Sequence, residues 1–373
     1  MQLKNKPVTF LLISILALMI SGCTNVGAAS SWPGFSVQDD AGYLSFGAQT
    51  YAIDMNNGSL IWKYPAELDR TRQAYSAPQA VNGIVVFGDY SNNLVAVNAE
   101  NGTETWRYTG AQDRYVASVA ASDSMVYAPN TDGYVYVLNS DGDLEWKFKT
   151  AGPNWSKPVI DAQTLLYASM DHFLYAIDLN SSPTELELDK DGSRTLRTDY
   201  LWKTDLGMAV IADPVVEDGI VYVATIEGKL FAVEANSGEI VWSFDNGGDL
   251  GAIWGSPVID DSVIFFADIN GDVYTVEKGT GKQFWPSPFN AGGGIVGGGV
   301  QTNDGIVFAT DEGKLFIINQ EKEPKTLTSF ENAIYSPLSI YGENVLVAPA
   351  SEEGLLSAYD LEGFEEWSFV PAE

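Results

Sequence analysis

The sequence predicts an all-β fold, an eight-bladed β-propeller of four-stranded antiparallel blades. Three observations carry this expectation. First, a segment ending in tryptophan recurs: "AIDMNNGSLIW" (52–62), "AVNAENGTETW" (96–106), "AVEANSGEIVW" (232–242) and "TVEKGTGKQFW" (275–285). Second, Trp62, Trp106, Trp146, Trp202, Trp242, Trp285 and Trp367 follow one another at 44, 40, 56, 40, 43 and 82 residues. The last gap is two periods, and a period of roughly 40–45 residues is that of propeller blades. Third, no segment of the mature chain sustains an apolar period of 3.6, while short apolar runs are cut by glycine every few residues.

The elements follow in chain order. Units one and two end at Trp62 and Trp106, and unit three closes with the shorter "VLNSDGDLEW" at Trp146. Unit four opens with "AIDLNSS" at Ala176 and reaches Trp202 only after an insertion, 181–199. Units five and six end at Trp242 and Trp285. Unit seven, "GIVFATDEGKLFIINQ" (305–320), lacks its tryptophan, and unit eight closes with "AYDLEGFEEW" at Trp367. Within a unit, "SPVIDDSVIFFADINGDVYTV" (256–276) reads as strand, turn, strand, turn, strand, with the tryptophan on a fourth strand. Radial closure leaves only short, protected sheet edges. The first strand, around 35–38, is weak, so Trp32 and its neighbours either open the first blade or complete the last.

The Ala-x-Asp/Asn-x-x-x-Gly-x-x-x-Trp pattern resembles the tryptophan-docking motif of propellers of the pyrroloquinoline-quinone (PQQ) type, from about Trp32 to the end of the chain. The chemistry of the pattern stands apart from its name. Gly58, Gly102, Gly238 and Gly281 supply positive φ in the turn, and Asp54, Asn98 and Asp178 bond turn N–H groups. The small residue at the head of the motif leaves room for an indole that covers roughly 150–250 Å². The seven tryptophans are therefore expected to join neighbouring blades.

Ahead of the propeller, Lys4 and Lys6 precede the apolar run "VTFLLISILALMI", and "ISGC" ends at Cys23. This resembles a bacterial lipoprotein signal. The resemblance implies a signal peptide at 1–22, a lipidated Cys23, a flexible tether at 23–31 and a propeller over 32–373. Cys23 is the only cysteine, so the propeller has no disulfide, no cysteine nucleophile and no Cys-based metal site. Fifty acidic residues against 20 basic ones give a formal net charge of −30, which argues against nucleic acid and against charge-driven binding to anionic lipid.

Candidate chemistry is sparse. His172 is the only histidine and no GxSxG elbow occurs, so His172 reads as a strand or turn residue. In the insertion, Glu187, Asp189 and Asp191 alternate ahead of Gly192 like part of a calcium loop, but position 12 is Thr198 rather than a bidentate glutamate. The run "GGGIVGGGV" falls at the entry of a blade's inner strand with no helix after it, which speaks against a phosphate loop. A more promising pattern is a ring of aromatic residues ahead of the inner strands: Tyr75, Tyr115, Trp155, Trp254 and Tyr335. Tyr115 enters it by equating Ser118 with the proline of other units. Acids in the second-to-third-strand turns, Asp89, Asp132, Asp171, Glu227, Asp268, Asp311 and Glu352, are expected as a rim on the same face. Such a face could receive a basic or sugar-bearing ligand, or its aromatics could pack between blades.

A secreted, lipid-anchored propeller without a catalytic constellation resembles the BamB family of outer-membrane β-barrel assembly lipoproteins. That resemblance implies a monomeric, non-catalytic scaffold for envelope proteins, held to the membrane through its lipid alone and needing no cofactor. It would lie on the outer membrane facing the periplasm, or on the outer face of the cytoplasmic membrane where no outer membrane exists. Two alternatives remain open at this point: a quinoprotein oxidoreductase using PQQ and Ca²⁺, and a surface binder of sugars or peptides.

Overall fold

A computed structural model describes residues 32–371 apart from 70, 123, 181–185, 189–193 and 351–354. It contains eight sheets, six of them drawn from four consecutive antiparallel strands; the insertion of blade 4 interrupts that blade and adds two strands to blade 3. In blade 1 these are Gly34–Gln38, Ala41–Phe46, Gln49–Asp54 and Leu60–Tyr64. Blades 2 to 8 span 79–108, 120–149, 159–205, 215–244, 258–290, 299–329 and 339–369. First strands of neighbouring blades adjoin one another and surround the axis. The weak first strand belongs to blade 1, and blade 8 supplies all four of its own strands, so no strand is shared at closure.

Hydrophobic clusters lie in the seams between blades. The cluster of Tyr43, Ala52, Trp62, Val85, Phe87 and Val95 joins blades 1 and 2. That of Leu44, Ile53, Met55, Leu346, Leu356 and Phe369 joins blades 1 and 8. Second and third strands are apolar on both faces because each blade is covered on both sides; Val263–Ala267, "VIFFA", is buried throughout.

The docking tryptophans close these seams by one repeated contact. Indole N–H groups donate to a turn carbonyl of the next blade: Trp62 to Ala99 at 2.8 Å, Trp106 to Ser140 at 3.0 Å and Trp202 to Ala235 at 3.0 Å. Trp242 does so to Lys278 at 3.0 Å and Trp285 to Gln320 at 2.7 Å. The ring face lies over the turn glycine, so a methyl on Gly102 would stand 2.8 Å from Trp62 Cδ2. Blade 7, which lacks the tryptophan, uses another donor: Lys325 Nζ reaches the Leu361 carbonyl of blade 8 at 2.7 Å.

The insertion of blade 4 extends blade 3. Arg194–Arg197 pairs in parallel with the outer strand Leu144–Lys149, and Glu187–Leu188 pairs with it in turn, giving a six-stranded sheet. Arg197, 1% exposed, lies 5.0 Å over the Trp146 ring and donates twice to Asp199, at 3.0 and 2.8 Å. Trp146 therefore packs beneath an arginine that its own blade does not supply.

Candidate functional site

Strand pairing fixes the register of the axial ring. Trp32, Tyr75, Val116, Trp155, Ile211, Trp254, Val296 and Tyr335 occupy equivalent positions ahead of the eight inner strands. All eight are half-exposed, while the residue before each from Tyr75 onward is buried: Ala74, Tyr115, Asn154, Val210, Ile253, Ile295 and Ile334. Tyr115 is thus one residue out of the ring. Ala120 pairs with Tyr127 as Gln79 pairs with Val86, so Val119, not Ser118, takes the place of proline. Tyr115 is fully buried against Gly88 between blades 2 and 3, and burial pushes its phenol well above the ordinary value. The ring member that sequence reasoning left out is Trp32, and its signal was the "Trp-Pro-Gly" that stands where "Tyr-Ser-Ala" stands in blade 2.

Three of the five aromatic residues of the ring cluster with one another, and Tyr75 packs with aromatic residues outside it. Trp32 lies 6.2 Å from Trp254 and 6.0 Å from Tyr335, centroid to centroid, so it bridges from blade 1 to blades 6 and 8. Tyr75 packs with Tyr90 at 5.1 Å and Phe46 at 6.2 Å, and Arg114 stands 5.3 Å over Tyr90. In blade 7 the ring position is Val296, and the glycine run after it packs against the neighbouring blades. A methyl on Gly297 would stand 2.2 Å from the Ser336 carbonyl oxygen, and one on Gly255 2.2 Å from the Gly298 nitrogen. The run lets three backbones approach one another rather than cradling an anion.

Beside the ring, Lys157 Nζ of blade 4 reaches Gln79 Oε1 of blade 2 at 3.2 Å, passing blade 3. The Lys157 N–H donates to Asp213 Oδ1 at 2.7 Å. Burial raises the Asp213 carboxyl above its usual range, opposed by the Lys157 N–H and ammonium. Lys157 is the only basic side chain at its position in the eight blades, where the others are Gly34, Ala77, Ser118, Asp213, Ser256, Gly298 and Pro337.

Four acids of the expected rim are engaged in hydrogen bonds. Asp89 accepts from the Ser91 and Asn93 N–H groups at 2.9 and 2.8 Å and is 3% exposed. Asp268 accepts from Gly251, Asn270 and Asp272 N–H groups and is fully buried. Asp132 and Asp171 accept phenol protons from Tyr136 and Tyr175, each at 2.7 Å. These four carboxylates brace second-to-third-strand turns, whereas Glu227 is exposed and Asp311 half-buried. His172 occupies the corresponding turn of blade 4 at φ 80°, where blades 3, 5, 6 and 7 have Gly133, Gly228, Gly271 and Gly313.

The calcium candidate is divided. Glu187 sits on a short strand and accepts from the Thr198 hydroxyl at 3.3 Å, whereas Asp189 and Asp191 lie outside the described residues. Among the described residues no group of three or more His, Cys, Asp or Glu side chains is placed to hold a metal. Cys23 and Glu352 also lie outside the described residues.

Comparison with known proteins decides the family. A family model described as outer membrane protein assembly factor BamB matches residues 29–182 and 195–286, well over half of the chain. The chain belongs to the BamB family. The gap between the matched segments coincides with the insertion. The BamB of Yersinia pestis is 24% identical over 220 residues, 45% of this chain and 56% of that protein, so the match spans little more than half of the relative's length. A tetrathionate hydrolase of Acidithiobacillus ferrooxidans is 22% identical over 209 residues, 52% of this chain and 40% of the hydrolase. The crystal structure of BamB from Moraxella catarrhalis superposes with a TM-score of 0.71 at 16% identity, covering 88% of this chain and 94% of that one, a likeness of fold.

Proposed function

We propose that this chain is a lipid-anchored, non-catalytic propeller of the cell envelope that acts as a protein-interaction scaffold in outer-membrane β-barrel assembly. The family match over residues 29–182 and 195–286 carries the reading. Cys23 is its anchor, and Tyr75, Trp155, Trp254, Tyr335 and Trp32 form its partner face, since half-exposed aromatics on a rigid ring suit protein contacts.

The test is a pull-down of the native lipoprotein from gently solubilised membranes. A co-purifying β-barrel assembly protein, lost in Trp254→Ala, is expected; its reproducible absence would overturn the scaffold. Dye-linked dehydrogenase activity after addition of PQQ and Ca²⁺ would overturn the non-catalytic role. Cys23→Ser should move the protein from the membrane to the soluble fraction.

A further inference from the structure

Each blade ends in an outer edge strand whose backbone can pair with another chain unless something prevents it. Seven of the eight edges carry a block. Blade 1 ends in "LIWKY" with Lys63 and then Pro65, and blade 2 in "ETWRY" with Glu104 and Arg107. Blade 3 is covered by Arg194–Arg197, and blade 4 ends in "WKTD" with Lys203 and Asp205. Blade 6 keeps only Phe289–Asn290 behind Pro286 and Pro288. Blade 7 begins its edge with Pro324 and Lys325, and blade 8 with Glu365 and Glu366.

Blade 5 is different. Its outer strand Ile240–Phe244, "IVWSF", has neither charge nor proline. Ile240 and Val241 are 44% and 53% exposed, while Trp242 turns inward to its docking carbonyl on Lys278. The register shift opposite Val241 recurs in blades 1, 2, 3 and 8 and does not set blade 5 apart. Blade 3 shows that an outer edge of this propeller accepts an added strand, because the insertion already pairs there.

Charge identifies the occupant. Glu239 and Asp245, both exposed, bracket the strand, and no Lys or Arg occurs from Leu230 to Glu277. We propose that the outer edge of blade 5 is a strand-docking site for an extended segment of a partner protein, apolar in its middle and flanked by Lys or Arg. Main-chain hydrogen bonds would supply affinity, and Glu239 and Asp245 would favour basic flanks. The proposal rests on the scaffold reading only for where such a partner resides.

The full lipoprotein in detergent is titrated with a synthetic heptapeptide, Lys-Val-Thr-Val-Thr-Val-Lys, and with the same peptide flanked by Glu. Amide exchange reports on Ile240–Phe244 and fluorescence anisotropy of labelled peptide gives affinity. The Lys-flanked peptide should slow exchange in that strand and bind at least tenfold more tightly than the Glu-flanked one. Val241→Lys should weaken it at least tenfold, while Thr105→Lys, at the matching exposed position of blade 2, should not. No binding at millimolar peptide, equal binding to both variants, or slowed exchange elsewhere would overturn the site. A peptide-free dimer that protects the same amides would overturn the partner in favour of a second copy. No envelope protein is present, so failure here leaves the scaffold reading to its own pull-down.

Discussion

Trp367 Nε1 of the last blade donates to the Met55 carbonyl of the first at 3.1 Å, and this contact helps close a ring whose end blades share no strand. The other docking tryptophans bridge blades that the chain already connects. The seam between blades 8 and 1 has no such connection; Ser336 Oγ adds a bond to the Pro33 carbonyl at 2.8 Å, and the Tyr341 hydroxyl reaches Asp40 Oδ1 at 2.6 Å and Asn56 Oδ1 at 3.0 Å.

Trp367→Phe should therefore cost about 1–2 kcal/mol, since it strands the carbonyl of nearly buried Met55, and Trp367→Ala about 3 kcal/mol. Urea unfolding measures both. Amide exchange should show the loss concentrated in blades 1 and 8, whereas Trp106→Ala loosens only blades 2 and 3. Even loss of protection around the whole ring in both variants would show that the closing seam is not special.

Tyr115 and Trp254 should part company when each becomes alanine. Tyr115 fills the seam of blades 2 and 3, so Tyr115→Ala should cost about 3–5 kcal/mol and lower the melting temperature clearly. Trp254 is a half-exposed member of the ring, and its removal should change stability by about 1 kcal/mol or less while weakening the partner complex. Thermal unfolding and pull-down of the two variants check this; equal destabilisation would make the ring packing rather than a binding face.

The repeat was legible because the docking contact needs four residue types at fixed spacing. Ala52, Asp54, Gly58 and Trp62 announce blade 1 before any strand is placed, and the same pattern counted eight blades even where Trp285 is followed by none. What escaped has physical reasons. Lys325 does the work of an indole N–H through an ammonium, so a search for tryptophan passes over it. Tyr115 entered the ring because Ser118 looked like a substituted proline, and only hydrogen-bond register separates it from Val116. The strands of the insertion join the preceding blade in parallel, a pairing that no local pattern encodes.

His172 offers a test of backbone strain. It holds φ 80° on an exposed turn where blades 3, 5, 6 and 7 use glycine, a conformation costing roughly 1–2 kcal/mol for a residue with a Cβ. Glycine also loses more entropy on folding, by about 0.5–1 kcal/mol. His172→Gly should thus stabilise the protein by about 0.5–1 kcal/mol in urea, and His172→Ala should not. A destabilised His172→Gly would reveal a contact made by the imidazole.

Alkaline pH should expose the buried phenols. Tyr136 and Tyr175, both nearly inaccessible, donate to Asp132 and Asp171 at 2.7 Å. Burial first, and then those carboxylates, raise both phenols far above the ordinary value. Below pH ~10 folded and unfolded chains both keep these protons, so the contribution to stability is constant. Above it the unfolded chain releases protons that the fold retains, and stability falls by about 1.4 kcal/mol per pH unit for each phenol. Tyr136→Phe loses a charge-assisted hydrogen bond and should be about 1.5–3 kcal/mol less stable than the parent at pH 7. It also removes one titrating group, so the gap should narrow steadily as pH rises beyond ~10. Urea midpoints at neutral pH and at two values above 10 measure it. A gap that stays constant would mean that Tyr136 releases its proton as readily in the fold as in the unfolded chain.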